Sequence, residues 1–111
     1  MSRRKIYDAK PLPKGVAMIA MAICSDYSRR KKTLPLVDDE IVAAAYARMN
    51  DAVDAAMMLV EEGPVRDAIR DEILTRTGYE YSKVRGIISV GSYYARRRLV
   101  LRTVAEKLNL I

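Results

Sequence analysis

The chain contains no histidine, no tryptophan and no phenylalanine, and only one cysteine, Cys24, among its 111 residues. Without imidazole, neither a Ser-His-Asp nor a Cys-His nucleophile can be assembled. One thiol without histidine also falls short of a zinc ligand set, and a lone cysteine cannot close an intramolecular disulfide, which fits a reducing cytoplasm. Long hydrophobic runs are missing too. The best candidate, "VAMIAMAIC" from Val16 to Cys24, is well short of the roughly 20 residues that span a bilayer. It has no cleavage-site pattern behind it, and Asp26 and "RRKK" follow at once. It reads as a buried helix of a soluble protein, with Cys24 as a small buried thiol inside it. The paired acids, Asp38 with Asp39 and Asp67 with Asp71, stand where helix starts and exposed helix faces ordinarily carry carboxylates. No catalytic residue, no metal and no cofactor is therefore expected, and the chain is not read as an enzyme.

Half of the residues are apolar and 31% are charged, a balance that belongs to globular chains. All the aromatic content is tyrosine, so the core must be built from Ala, Leu, Ile, Val and Met, residues that suit helix packing. The length allows one domain with a modest core. The net charge of +6 conceals a segregation: residues 1–33 carry nine Lys/Arg against two acids, residues 34–75 three against ten, and residues 76–111 eight against two. Two basic ends flank an acidic middle. A basic block can be a solvated face, or it can meet an acidic partner such as nucleic acid.

Residues 1–12 lack periodicity and read as a flexible basic arm ending at "KPLP". From Pro13 to about Lys32 the pattern is helical, with "RRKK" (Arg29 to Lys32) complementing the negative end of the helix dipole. "TLPLVDDE" interrupts it. Pro35 punctuates, Asp38 is the expected cap, and Asp39 and Glu40 fall in the positive first turn of a helix running to about Glu62. Gly63 ends that helix and Pro64 opens another to about Thr77. There is no internal repeat and no sustained strand-like alternation. The expected fold is all-α, a small bundle of four to five helices over residues 13–111.

The last helix is expected from Val90 to Leu108 with Ser89 as its N-cap. On a wheel of about 100° per residue, Val90, Tyr94, Val104, Ala105 and Leu108 cluster around Leu101 as a core face. Ser92, Arg96, Leu99 and Thr103 lie opposite, Arg97 and Arg98 flank the core arc with their heads at the rim, and Tyr93 sits at its border. The leading end combines free backbone N–H groups, hydroxyls and a cation, the equipment of a helix that enters the major groove. With the helix from Pro64 and a short turn through Lys83 and Arg85, it spells a helix-turn-helix over about 64–108. A purely structural helical hairpin has the same pattern.

The segment "GYEYSKVRGIISVGSYYARRRLVLRTVAEKLNLI" resembles the C-terminal half of small phage and prophage transcriptional regulators of the RinA/ArpU type, with a helix-turn-helix like that of sigma-factor region four. The matching positions include Gly78, Tyr79, Tyr81, Ile88, Ser89, Tyr93, Tyr94, Arg97, Arg98, Leu108 and Ile111, and "DYSRRKKTL" is similar to the first half of such proteins. Gly91 departs from the pattern, where a side chain is more usual. The resemblance implies a sequence-specific DNA-binding regulator of late phage genes that acts with host RNA polymerase in the cytoplasm of a bacterial cell, at the nucleoid. On this reading Arg96 and Tyr93 contact base edges, while Lys83, Arg85, Ser89, Gly91, Ser92, Arg97 and Arg98 lie along the backbone of double-stranded DNA. Two other readings stay open: a helical interaction module that docks onto polymerase or forms a homodimer, and a DNA-packaging protein like a small terminase subunit. The DNA-binding reading requires the leading end of the last helix to be open and its arginines not to be neutralised by the acidic middle.

Overall fold

The computed structural model of the protein describes residues 10–75 and 86–111. They form five α-helices, with no strand among the described residues: α1 (Lys14–Ser25), α2 (Tyr27–Thr33), α3 (Glu40–Met57), α4 (Pro64–Thr75) and α5 (Val90–Lys107), with a 3-10 turn at Leu34–Leu36. The chain is thus the small all-helical bundle that its residue usage dictates. Helix α5 runs through the middle of it, packed against α3 and α1, while α2 closes on α3. Cys24, Val53, Ile69, Tyr93, Val100 and Val104 meet in one core.

The single helix expected from Pro13 to Lys32 is two helices. The break falls at Asp26, whose backbone (φ −93°, ψ 4°) leaves the helical ladder. Its carbonyl then opens the next helix by accepting from the Arg30 N–H at 3.1 Å. Arg29 folds back onto the same residue through two bonds, Nε to Oδ1 at 2.7 Å and Nη2 to Oδ2 at 2.6 Å. The bidentate cation holds the Asp26 carboxyl below the usual carboxylate range. Periodicity could not show this corner, because Tyr27 continues the core-facing row of Ala20 and Cys24 across it.

The corner turns Arg30 inward. Its side chain is 2% exposed; Nε donates to Asn50 Oδ1 at 2.7 Å, Nη2 donates to the Ile23 carbonyl, and Nη1 lies 3.5 Å from Asp26 Oδ2. Asn50 in turn donates to the Tyr27 carbonyl at 3.4 Å. A buried cation persists only where its donors are satisfied, and here they tie the end of α1, the corner and the middle of α3 together. Lys31 and Lys32 stay exposed in the last turn of α2, where their charge complements the helix dipole as expected, while Arg30 leaves "RRKK" for the interior.

Helix α3 is capped by Asp39, one residue later than Asp38: its carboxylate accepts from the Ile41 N–H at 2.9 Å and the Val42 N–H at 3.3 Å. Gly63 turns the chain with φ +109°, a left-handed conformation that side chains resist. Arg66 secures the turn from α4, donating from Nε and Nη2 to the Val60 carbonyl at 2.9 and 2.8 Å. Cys24, with no exposed surface, has its thiol pushed up to about 12 by burial.

Three outcomes follow from this packing. Replacing Arg30 by Ala strands the Asn50 amide oxygen and the Ile23 carbonyl in the interior, and should cost about 3 kcal/mol in denaturant unfolding. Native Cys24 should resist a thiol reagent at pH 8 and react fully once denatured. Because its pKa is raised by folding, its contribution to stability holds below its unfolded pKa. That contribution should fade as pH climbs toward about 12.

Candidate nucleic-acid interface

The leading end of α5 is built as its serine cap predicts. Ser89 is extended (φ −67°, ψ 160°) and its hydroxyl accepts from the Ser92 N–H at 3.2 Å. Its carbonyl accepts from the Tyr93 N–H at 3.0 Å. Ser89, Val90 and Gly91 are exposed, Ser92 is half-buried, and the first turn holds no acid. A Cβ added at Gly91 would meet nothing within 4 Å. The first amides of a helix have no carbonyl one turn back to receive them, and their partial positive charge favours an anion.

The arginine triplet and its neighbours depart from the expected arrangement. Tyr93 is completely buried, so it cannot touch a base edge. Burial, and then the neighbouring Glu72 carboxylate, push its phenol well above the ordinary range. Tyr94, expected in the core, is 42% exposed and meets the Tyr93 ring edge-on at a centroid distance of 4.9 Å. Arg96, expected to point outward, has a side chain only 13% exposed. Its Nε donates to Glu61 Oε1 at 2.5 Å and Nη1 to the Ser92 carbonyl at 3.0 Å. Arg97 Nε stands 3.8 Å from Oε2 of the buried Glu72, and its guanidinium lies 5.9 Å from the Tyr94 ring centroid. Arg98 is half-buried, with its Nε enclosed.

The cause is that α5 is covered on two sides rather than one. Leu101, Val104 and Ala105 are buried as expected, but Leu99, expected on the outer face, is buried as well, together with Ala95 and with Leu59 against them. The turn that follows α3 therefore lies over that second face. It carries Glu61 beside Arg96, while α4 inserts Glu72 beside Arg97. Val90, expected in the core, is half exposed because it precedes the covered stretch.

Of the residues expected at DNA, Ser89, Gly91 and Ser92 come together at the leading end, whereas Tyr93 and Arg96 are drawn away from it. Arg97 and Arg98 keep part of their surface further along the helix. Lys83 and Arg85, with the turn joining α4 to α5, lie outside the described residues, as does most of the basic arm. Reading the sequence missed Glu61, Glu72 and Arg30. The first two had a signal in the acidic middle segment, which is the natural counter-charge for a basic final helix. Arg30 had none, since a cation inside "RRKK" looks solvated. Among the described residues no helix is long and apolar enough to cross a membrane. Comparison with protein-family models, with characterised proteins and with solved structures finds no match.

Two measurements check this geometry. Tyr93→Ala should lose about 3 to 5 kcal/mol of stability, the cost of emptying a core aromatic site. A double-mutant cycle on Arg96 and Glu61 should return a coupling of about 1 kcal/mol, modest because Glu61 is partly solvated. A coupling near zero would mean that Glu61 does not hold Arg96.

Proposed function

We propose that the chain binds duplex DNA through the leading end of α5 and acts as a transcriptional regulator of the phage or prophage type that its sequence resembles. The observation that supports this most is the acid-free, serine-capped start of α5, where Ser89, Val90 and Gly91 are exposed and a Cβ at Gly91 would meet nothing within 4 Å. That end suits a phosphate held by backbone amides and the Ser89 hydroxyl. Lys83 and Arg85, close by in sequence, supply further cations, and Arg98 supplies one from the helix itself. Of the two conditions on the DNA reading, the arginines do not meet theirs, since Arg96 is paired with Glu61 and Arg97 lies beside Glu72 of the acidic middle, so the proposed contact rests on backbone anchoring at the helix start and not on arginine reading of guanine. Late-gene control together with host polymerase rests on the resemblance alone.

A second reading draws support from Ile87, Val90 and Tyr94. They are 49%, 50% and 42% exposed and surround the same end with apolar surface, a feature of surfaces that meet other proteins. Fluorescence anisotropy with a mixed-sequence duplex at low and at moderate salt separates the two readings. DNA binding should weaken steeply with salt, the logarithmic slope being about −0.9 per phosphate contacted. Gly91→Glu supplies the decisive variant: the side chain enters open space and favours the helix, so folding by circular dichroism should be unchanged. Its carboxylate should nonetheless abolish duplex binding. A folded wild-type protein that binds no duplex at low salt would leave the interaction reading in its place.

A further inference from the structure

Helix α3 buries Asn50, Ala52, Val53, Ala56 and Met57, and no described element covers the side that carries Ile41, Ala44, Arg48, Asp51 and Met58. On that side Ile41, Ala44, Arg48, Asp51, Ala55 and Met58 succeed one another at spacings of three, four, three, four and three residues, the alternation of a coiled-coil seam. Ile41 is 82% and Met58 67% exposed, although both are large and apolar. Met58 keeps helical dihedrals (φ −66°, ψ −16°), so the seam continues to its end. The alanines form the floor of an open groove of about 580 Å³ that Lys107 of α5 borders. No ion pair between Arg48 or Asp51 and another element is formed among the described residues.

The order along the seam is self-complementary. A two-fold axis passing between Met49 and Asn50 brings a second α3 alongside in the opposite direction and sets Ile41 against the second copy's Met58. The same operation sets Ala44 against Ala55 and Arg48 against Asp51, each pairing occurring twice. Large apolar residues meet at the ends, small residues let the two backbones approach at the intermediate layers, and opposite charges meet at the centre. Antiparallel coiled coils pair the two seam positions in this crossed way, and an isologous two-fold contact requires a patch that complements itself. A parallel pairing would set Arg48 against Arg48 and Asp51 against Asp51.

The geometry points to a homodimer formed by antiparallel pairing of the α3 seams of two copies of this chain, with Arg48 and Asp51 selecting the antiparallel register. This inference does not depend on the nucleic-acid reading, since none of the six residues belongs to the leading end of α5.

Sedimentation equilibrium on the full chain tests it. The wild-type protein should associate reversibly from its 12.5 kDa monomer to a species of twice that mass. R48D places two aspartates in each central layer and D51R two arginines, and each should weaken the dimer by about ten-fold or more. An equimolar mixture of R48D and D51R restores opposite charges in both layers and should recover association, a result that a folding defect cannot produce. Circular dichroism of each variant checks helicity. A wild-type protein that stays monomeric at the highest concentration reached overturns the inference. So do single variants that associate like the wild type, and folded monomeric variants whose mixture fails to associate.

Discussion

The constraint on which the rest of the molecule turns is the enclosure of α5 on two faces. A helix at the centre of so small a bundle must bury most of its circumference, yet this one carries Arg96, Arg97 and Arg98 in succession and Arg102 one turn later. A guanidinium withdrawn from water is tolerable only with an acceptor or an anion in reach. The acidic middle of the chain provides Glu61 for Arg96 and Glu72 for Arg97, and Arg102 finds Glu106 at 3.0 Å on its own helix, while the enclosed Nε of Arg98 meets no acceptor among the described residues. Charge segregation along the sequence thus becomes charge pairing across the fold, so the net basicity overstates the cationic surface of α5.

The same demand is met at the corner between α1 and α2 by Arg30. Its guanidinium fixes the corner between α1 and α2 against Asn50 of α3. Such bonds are directional where apolar packing is not. In a core made of alanine, valine, isoleucine and methionine, which tolerate sliding, they define how α1, α2 and α3 sit against one another.

Much of the fold was legible beforehand. The serine before Val90 and the glycine and proline at the turn into α4 each act locally, so the chain alone places them well. Long-range features were hidden. A wheel drawn for α5 allows one core direction, and only the chain reversal that lays Leu59 over Leu99 reveals a second. That error carried Tyr93, Tyr94, Val90 and Arg96 to the wrong sides together. The break at Asp26 escaped for a related reason: the apolar period continues through it, and the side chains that stabilise the corner act across the corner itself. The candidate site was legible at its first turn and illegible beyond it, where the partners of each arginine come from α4 and from the turn after α3.

Two glycines of this chain stand under opposite regimes. Gly63 is required by its own backbone, which a β-carbon would strain, whereas Gly91 sits in ordinary helix with empty space before it. Nothing among the described residues asks for glycine at the second position, and an alanine there would even strengthen the helix. Descendants of this protein are therefore free to drift at residue 91 unless something outside the chain presses against it. Persistence of the bare backbone there would be the imprint of that visitor.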